Sequence, residues 1–324
     1  MTDLRVVGGE LVPPSPERRH LLSISDLERE DVERLLATAR SFALSQARET
    51  KKLPTLRGRL VVNLFYESST RTSSSFELAA KRLSADTLTL KSAGSSVDKG
   101  ESLRDTAQTL SAYAPDVIVI RHPEAGAGAF VSRLTDARVV NAGDGKHQHP
   151  TQALLDLFVM QEAIGRLEGL QVAIVGDVLH SRVARSLVQA LRLVGAGAIF
   201  VGPPALLVPE VAPCSHDIDA IADADVVYVL RMQRERMLAG ANFMPSLREY
   251  TARWGITPER LRPGQRVMHP GPMNRGVEID ARVADSAASL VVDQVGAGLV
   301  VRMAVLYDLL TAGPVPVEAA VEVA

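Results

Sequence analysis

Residues 60–73 read LVVNLFYESSTRTS, an apolar run followed directly by a polar segment that contains one arginine. The apolar part, 60–65, has the length and composition of a buried strand, and a helix is predicted near 71–83. Backbone N–H groups at a helix N-terminus carry partial positive charge and favour anions. The hydroxyls of the segment and the guanidinium of Arg71 add donors that suit a phosphate. The pattern predicts an anion site, with an ordinary Ser/Thr-rich helix cap as the equally weighted alternative.

The alternation of strands and helices continues on both sides of this segment. A helix is predicted near 26–45, opened by a capping box of Ser25 and Glu28, and residues 1–20 are expected to form a loose arm. Downstream, strands near 86–91, 117–120 and 138–141 alternate with helices near 101–113 and 126–134. Such alternation indicates a parallel sheet with helical crossovers.

A second series of the same kind follows a long predicted helix. This helix runs from Thr151 to about Ile164, and the later elements are strands near 172–175, 199–201 and 226–230 and helices near 182–194 and 297–311. We therefore predict an α/β fold of two lobes, each a parallel sheet flanked by helices, with an active-site cleft between them. The first domain is expected to span 1–150, completed by the C-terminal segment 296–324, and the second to span 151–295.

The composition is that of a globular protein without a bulk affinity for polyanions. The 324 residues are 46% hydrophobic and 23% charged, the net charge is −2, and the length suits two domains. No global basic field would attract nucleic acid or anionic lipid, and no apolar run is long enough to span a membrane. The single cysteine, Cys214, cannot form an intrachain disulfide or build a zinc site alone, so a cytoplasmic location is the simplest interpretation.

Further polar residues follow the predicted strands, where ligands bind in open α/β sheets. Arg121 comes directly after the strand near 117–120, and a glycine-bracketed loop carries Ser95 and Lys99. A functional Arg121 would project into the cleft, whereas an arginine solvated at a strand end is the equally weighted alternative. For the loop, a mobile surface segment is the favoured interpretation on local grounds.

A glycine-rich turn delivers His149 to the start of the long helix, where Pro150 is well tolerated and Gln152 lies on the first turn. His147 and His149 could suggest a metal pair, but no nearby group completes a convincing set of ligands. We therefore expect no metal and no cofactor, and a neutral His149 that polarises a carbonyl group.

The second lobe opens with VGDVLHSR at 175–182, which is similar to the first turn of a dinucleotide-binding fold. The fingerprint fails, because the positions that require its later glycines are occupied by Val178 and Ser181. A nicotinamide-dependent oxidoreductase therefore becomes a weaker alternative, and Arg182 is placed to hold an anionic group.

Two later segments complete the candidate site. Arg231 and Gln233 follow the strand near 226–230 and would point the same way in an extended segment, although a solvated basic loop is favoured when the segment is taken alone. The sequence HPGP at 269–272 predicts a stiff turn, which is either a plain loop or an acceptor site for an amine.

In their order along the chain, these segments resemble the aspartate/ornithine transcarbamoylase family over about residues 20–312. The matching stretches are STRT at 69–72, the loop at 95–99, RHP at 121–123, HPTQ at 149–152, Arg182, Arg231 with Gln233, and HPGP at 269–272. The resemblance implies a carbamoyl-phosphate lobe, an aspartate lobe and an enzyme that transfers a carbamoyl group in pyrimidine biosynthesis.

The resemblance also implies roles for single residues. Phosphate binding is assigned to Ser69, Thr70, Arg71 and Thr72, with Ser95 and Arg121. The carbonyl oxygen is assigned to Thr72, Arg121 and His149, and the carbamoyl NH₂ to Gln152 and the turn with Gly271 and Pro272. The aspartate carboxylates are assigned to Lys99, Arg182, Arg231 and Gln233. The implied catalytic residues are Arg71, Thr72, Lys99, Arg121 and His149.

In relatives, the loop that bears Ser95 and Lys99 enters a neighbouring subunit's site, which implies a homotrimer with shared active sites. A regulatory chain or another pyrimidine enzyme is a further possible partner.

Aspartate is the implied acceptor, because Arg231 would repel the ammonium of ornithine and attract a second carboxylate. The ornithine branch carries His-Cys-Leu-Pro at the last turn, whereas this chain has no Cys there and has Gly271 where some relatives have Leu. Ornithine or another amine as acceptor, and a non-catalytic scaffold, are the alternatives.

Overall fold

The computed structural model describes residues 5–7, 10–12, 20–91, 100–233 and 246–311. Its framework is two five-stranded sheets, each accompanied by helices. The predicted α/β fold of two lobes is confirmed. Two predicted site residues, Ser95 and Lys99, lie outside the described residues.

The N-terminal part contains more structure than the loose arm that its composition predicts. Strand β1 (Arg5–Val7) pairs with β2 (Glu10–Val12) in an antiparallel ladder, and β3 (His20–Leu21) is an edge strand of the first large sheet. These strands of two or three residues are held by backbone pairing. They are too short to show the alternation of apolar and polar residues that identifies a strand from sequence.

The first large sheet is built around the apolar run at residues 60–65. Its other strands are β4 (Leu60–Phe65), β5 (Asp86–Lys91), β6 (Val117–His122) and β7 (Arg138–Asp144), and the order is β3-β7-β6-β4-β5 with all pairs parallel. The helices are α1 (Arg29–Gln46), α2 (Thr70–Arg82), α3 (Leu103–Ser111) and α4 (Ala127–Ser132). Because the strands are parallel, the residues that follow them meet at one edge of the sheet.

Helix α1 begins later than predicted and with a different cap. Its N-cap is Glu28, whose backbone N–H donates to Asp31 Oδ2 at 2.8 Å. The predicted capping pair of Ser25 and Glu28 is wrong, because Ser23 caps a separate 3-10 turn over 24–26. The polar residues of this region are compatible with a helix that begins at either position, so the local sequence alone does not determine where α1 begins.

Helix α5 (Pro150–Ile164) joins the first sheet to the second. Every residue from Pro150 to Met160 is buried, as expected for a helix with packing partners on all sides. It packs against β7 and α1 of the first lobe. The start of this helix, which carries the predicted site residues, therefore lies where the two lobes join.

The second sheet repeats the plan of the first. Its strands are β8 (Gln171–Val175), β9 (Gly197–Val201), β10 (Cys214–Ser215), β11 (Val226–Val229) and β12 (Arg266–Met268), in the order β10-β9-β8-β11-β12 with all pairs parallel. Helices α6 (Arg182–Leu193), α7 (Leu247–Trp254) and α8 (Ala281–Ala284) accompany it. Within the described ranges, none of the helices combines the length and apolar character that a membrane span needs.

The last helix, α9 (Val291–Leu310), returns to the first lobe and packs against α1, α2 and α5. The predicted start near 297 is wrong, because Gly296 and Gly298 lie inside the helix. Glycine costs about 1 kcal/mol relative to alanine in a helix, and the burial of most α9 side chains outweighs this cost. Gly298 also leaves room for the Arg302 guanidinium, since a Cβ there would lie 2.5 Å from Arg302 Nη1.

Alanine substitutions at the two glycines of α9 separate helix propensity from packing. Gly296→Ala meets no atom within 4 Å, and we expect it to raise the free energy of unfolding by about 0.5–1 kcal/mol. Gly298→Ala pushes against Arg302, so we expect it to lose this gain or to destabilise the protein. Urea unfolding measures both variants, and equal stabilisation by the two would contradict the packing of Arg302 described here.

Candidate active site

A cavity of about 610 Å³ lies between the two lobes, where the residues that follow the strands of both sheets meet. It is lined by all the predicted site residues that lie within the described ranges: Ser69, Thr70, Arg71, Thr72, Arg121, His149, Gln152, Arg182, Arg231, Gln233, Gly271 and Pro272. Segments separated by up to about two hundred positions thus converge in one cleft, which is the arrangement that the sequence predicts.

Helix α2 presents its N-terminus to this cavity. Ser69 is the N-cap, and its Oγ accepts a hydrogen bond from the backbone N–H of Thr72 at 3.4 Å. Thr72 is buried, whereas Thr70 and Arg71 are exposed and line the cavity. The two interpretations of this segment are therefore compatible, since one hydroxyl caps the helix and other donors face the cleft.

One carboxylate lies between two guanidinium groups of the cleft. Glu67 Oε2 lies 3.1 Å from Arg121 Nε and also pairs with Arg182 Nη2. Each arginine also donates to a backbone carbonyl, Arg121 to Ala142 at 3.2 Å and Arg182 to Gly145 at 3.1 Å. Glu67 is thus the counter-charge that lets the two cations approach. It lies inside the segment 60–73, but residue type alone does not distinguish such a group from a solvated acid.

Two glycines give the arginines room. Gly143 has a φ of +117°, and a Cβ there would lie 3.0 Å from Arg182 Nε and 3.2 Å from Arg121 Nη1. Gly271 has a φ of +63°, and its Cβ would lie 2.8 Å from Arg71 Cζ. A side chain at either position would be strained and would displace a guanidinium. Gly271, the departure from some relatives, is therefore matched to the position of Arg71 in this chain.

His149 is buried at the N-cap of α5, with its backbone N–H donating to Ser186 Oγ at 2.8 Å. Burial, reinforced by the charges of Arg121, Arg182 and Arg302, holds the pKa of His149 well below its usual value. Nδ1 has no hydrogen-bond partner among the described residues. A neutral imidazole in this position can serve as a hydrogen-bonding group toward a carbonyl oxygen without carrying charge.

A buried aspartate fixes the segment that carries Arg231 and Gln233. Asp177 Oδ2 accepts from the backbone N–H of Gln233 at 3.0 Å, and Asp177 Oδ1 lies 2.8 Å from His180 Nδ1. The Gln233 amide also donates to the His180 carbonyl at 3.2 Å. The turn at 175–182 lacks the dinucleotide-binding fingerprint, but it has a structural role. Its Asp177 orients the segment with Arg231 and Gln233, which follows the neighbouring strand.

The turn at 269–272 is held from behind by buried side chains. His269 Nδ1 accepts from the backbone N–H of Gly271 at 2.8 Å, and His269 Nε2 lies 3.3 Å from Glu278 Oε1. The backbone N–H of His269 donates to Gln294 Oε1 at 2.9 Å. This segment is an ordered wall of the cavity, whose lining includes Pro270, Gly271 and Pro272.

Two buried ionisable groups near the cavity were not signalled by the sequence. Asp156, on α5, is fully buried, and burial raises its pKa to about 7. Arg302, on α9, lines the cavity with its guanidinium 5.2 Å from the centre of the Phe76 ring, and burial lowers its pKa to about 10. Both residues lie inside strongly apolar helices, and the neighbouring sequence gives no indication of a buried polar cluster.

The His147 side chain does not face the same partners as His149. Its Nδ1 lies 3.1 Å from Asp144 Oδ2, on the glycine-rich turn. Within the ranges that the structure describes, no three His, Cys, Asp or Glu side chains are grouped closely enough to hold a metal ion.

Comparisons with known proteins agree on one family. Residues 19–162 match the family described as "Aspartate/ornithine carbamoyltransferase, carbamoyl-P binding domain", and residues 168–309 match "Aspartate/ornithine carbamoyltransferase, Asp/Orn binding domain". The chain belongs to the aspartate/ornithine carbamoyltransferase family. It is therefore an enzyme, a carbamoyltransferase, and the oxidoreductase alternative is excluded.

Relatives and solved structures of the aspartate branch are similar over nearly their whole length. The aspartate carbamoyltransferase catalytic subunit of Leifsonia xyli is 56% identical over 311 residues, covering 90% of this chain and 98% of that protein. The aspartate transcarbamoylase of Trypanosoma cruzi, solved with carbamoyl phosphate and aspartate, has a TM-score of 0.82 at 29% identity, covering 91% of this chain and 98% of that one. The catalytic subunit from M. jannaschii has a TM-score of 0.79 at 37% identity, covering 90% and 98%. The resemblance found in the sequence is confirmed.

The low pKa of His149 can be measured directly. A lowered pKa means that the neutral imidazole persists to more acid pH, so we expect His149 to stay neutral as the pH falls from 8 to below 6.5. Ring ¹⁵N chemical shifts, assigned with a His149→Asn variant, report the charge state. Protonation of His149 at or above pH 6.5 would contradict the electrostatic picture of the cleft.

Proposed function

We propose that this cleft transfers the carbamoyl group of carbamoyl phosphate to the amino group of L-aspartate, giving N-carbamoyl-L-aspartate and phosphate in pyrimidine biosynthesis. The observation that carries the proposal is the convergence of Arg71, Arg121, Arg182 and Arg231 on one cavity. Carbamoyl phosphate and aspartate are both anions, and one cleft with cationic groups from both lobes can bind the two side by side.

The phosphate group is assigned to the N-terminus of α2. Ser69, Thr70, Arg71 and Thr72 supply hydroxyl, guanidinium and backbone donors there, and Arg121 adds a second cation. A helix N-terminus favours a bound anion, and arginine matches the geometry of phosphate oxygens. This end of the cavity therefore binds the group that leaves during the reaction.

The carbamoyl group is assigned to the centre of the cavity. Thr72, Arg121 and the neutral His149 donate to its carbonyl oxygen, while Gln152 and the turn with Gly271 and Pro272 accept from its NH₂ group. Donors placed where negative charge develops are worth about 10²–10³ in rate for each key group. The site thus polarises the carbonyl group before attack.

Aspartate is assigned to the side of the second lobe. Arg182, Arg231 and Gln233 bind its two carboxylates, with Lys99 completing the set. A second carboxylate on the acceptor is attracted by Arg231, whereas the side-chain ammonium of ornithine would be repelled. The charge of the cleft therefore selects the acidic acceptor.

The reaction proceeds by direct attack of the neutral α-amine of aspartate on the carbamoyl carbon. A tetrahedral oxyanion forms, stabilised by Thr72, Arg121 and His149, and it collapses with loss of phosphate. The departing phosphate takes the proton from the amine, so His149 is a polarising group and not a base. The two lobes close on the substrates, because water must be kept from the reaction.

The assembly that we propose is a homotrimer with shared active sites, located in the cytoplasm. Ser95 and Lys99 reach the site of a neighbouring subunit in this arrangement, and a regulatory chain or another pyrimidine enzyme is a possible further partner.

We further propose that residues 1–150, completed by the C-terminal helix, form the carbamoyl-phosphate domain and that 151–295 form the aspartate domain. The packing of α9 on α1 and α2 supports the assignment of this helix to the first domain.

The choice of acceptor tests the proposed function. We expect the purified protein to form a ureido product from carbamoyl phosphate and aspartate, with a kcat/KM at least about a hundredfold above that for ornithine, because only aspartate offers a second carboxylate to Arg231. A colorimetric ureido assay measures both reactions. Comparable rates with ornithine, or no product with aspartate, would overturn the proposal.

Arg71 is expected to matter for rate and not for stability. Its side chain is exposed at the phosphate end of the cavity, so Arg71→Ala should lower kcat by about 10²–10³ and change the free energy of unfolding by less than about 0.5 kcal/mol. Arg57→Ala, another exposed arginine that does not line the cavity, is the matched control and should retain full activity. A folded, fully active Arg71→Ala protein would remove Arg71 from the catalytic residues.

A further inference from the structure

Asp156 is a buried carboxyl group that lies directly behind the cavity and not in its lining. It sits on α5 one turn after Gln152, and its two oxygens have different partners. Oδ1 accepts from Gln152 Nε2 at 3.0 Å and from Gln294 Nε2 at 2.7 Å. Oδ2 accepts from the Tyr228 hydroxyl at 2.7 Å. One acidic side chain thus joins α5, α9 and the second sheet.

This carboxyl group determines which end of each glutamine amide faces it. A carboxylate oxygen accepts hydrogen bonds and cannot donate, so both glutamines must direct their NH₂ groups to Oδ1. Gln152 and Gln294 both line the cavity. One N–H of Gln152 is bonded to Asp156, and this orientation leaves Oε1 as the acceptor that the amide can offer a ligand.

The same oxygen anchors the turn at 269–272. Gln294 bridges the two, because its Nε2 donates to Asp156 Oδ1 and its Oε1 accepts from the His269 backbone N–H at 2.9 Å. His269 Nδ1 in turn accepts from the Gly271 N–H at 2.8 Å. The two groups assigned to the carbamoyl NH₂, Gln152 and this turn, therefore both depend on Oδ1 of one residue.

Protonation of Asp156 would not reverse this arrangement. Burial raises the pKa of Asp156 to about 7, so a proton can reside there near neutrality. The proton belongs on Oδ2, because Oδ1 already accepts from two amide groups while the Tyr228 hydroxyl can change from donor to acceptor. The face of the carboxyl group that meets Gln152 and Gln294 accepts hydrogen bonds in both states.

We propose that Asp156 is a positioning residue that makes the site selective for carbamoyl donors over other acyl phosphates. It holds Gln152 and the turn at 269–272 as two acceptors for an NH₂ group, and a donor with a methyl group in that place leaves both acceptors unpaired. Each unpaired acceptor in a site closed to water discriminates by roughly 10- to 100-fold. The inference rests on the role proposed above for Gln152 at the carbamoyl nitrogen.

Two small ligands that differ in one group test this selectivity. Phosphonoacetamide carries NH₂ where acetonylphosphonate carries CH₃, and both retain the phosphonate and carbonyl groups. We expect the wild-type protein to bind the amide more tightly, and Asp156→Leu to reduce the ratio of the two affinities at least about tenfold, because leucine cannot accept a hydrogen bond and leaves the Gln152 amide free to turn over. Affinity for acetonylphosphonate should change by less than about threefold, since the phosphate-binding residues are untouched. Titration calorimetry measures both dissociation constants.

Tyr228→Phe is the matched control for a purely structural effect. It removes the bond to Oδ2 and leaves both glutamines on Oδ1, so it should lower stability while keeping the affinity ratio within about threefold of the wild type. If Asp156→Leu does not fold, Gln294→Met breaks the link to the turn alone and should still reduce the ratio several-fold. An unchanged ratio in the folded Asp156→Leu or Gln294→Met protein overturns the inference. The inference is also overturned if the ratio falls as far in Tyr228→Phe as in Asp156→Leu.

Assaying the wild-type preparation separates this inference from the proposed function. A wild-type protein that carbamoylates aspartate and prefers the amide, alongside an Asp156→Leu protein with an unchanged ratio, overturns the role of Asp156 alone. A wild-type protein that carbamoylates neither aspartate nor ornithine overturns the proposed function, and the role of Asp156 is overturned with it.

Discussion

Several guanidinium groups have to lie close together in the cleft, and the surrounding structure must offset their repulsion. Two like unit charges 4 Å apart near a protein surface repel by about 4 kcal/mol. Glu67 pairs with Arg121 and Arg182, and each arginine also donates one hydrogen bond to a backbone carbonyl. Glycines 143 and 271 supply the space in which the side chains lie. Glu67 offsets only part of the positive charge that the lining arginines bring, so the cleft favours anions.

The fold brings these guanidinium groups together because the strands of both parallel sheets end at the same cavity. Helix α5 holds His149 and Gln152 at the boundary of the lobes, and the burial of its residues from Pro150 to Met160 restricts the movement of this part of the helix. Burial is the main reason why the pKa of His149 is lowered, and the charges of the neighbouring arginines add to it, so the cations that would attract two acids also favour the neutral imidazole. Buried carboxyl groups behind the wall, such as Asp177 and Asp156, then orient the polar residues that face the ligand.

Much of the fold and most of the cavity lining were predictable because their signals are local. A strand followed by a polar helix start, as at 60–73, or a strand end followed by arginine, as at Arg121 and Arg231, is visible within ten residues. The start of α9 was not predictable in this way. Its two glycines locally indicate the end of a helix, but the burial of the surrounding side chains outweighs their low helix propensity. The contacts of Asp156 with Tyr228 and Gln294 span 72 and 138 residues, and no local pattern encodes such pairs. The role of Glu67 likewise depends on which cations the fold brings to it.

The central claim is that one positively charged cleft binds both substrates at once. The most direct test is a crystal structure of this protein with N-(phosphonacetyl)-L-aspartate, the compound bound to the aspartate transcarbamoylase of Trypanosoma cruzi. The account predicts the phosphonate at the N-terminus of α2 beside Arg71, and the two carboxylates beside Arg182 and Arg231. An analogue bound outside the cleft, or with its phosphonate and carboxylate ends exchanged, would contradict it.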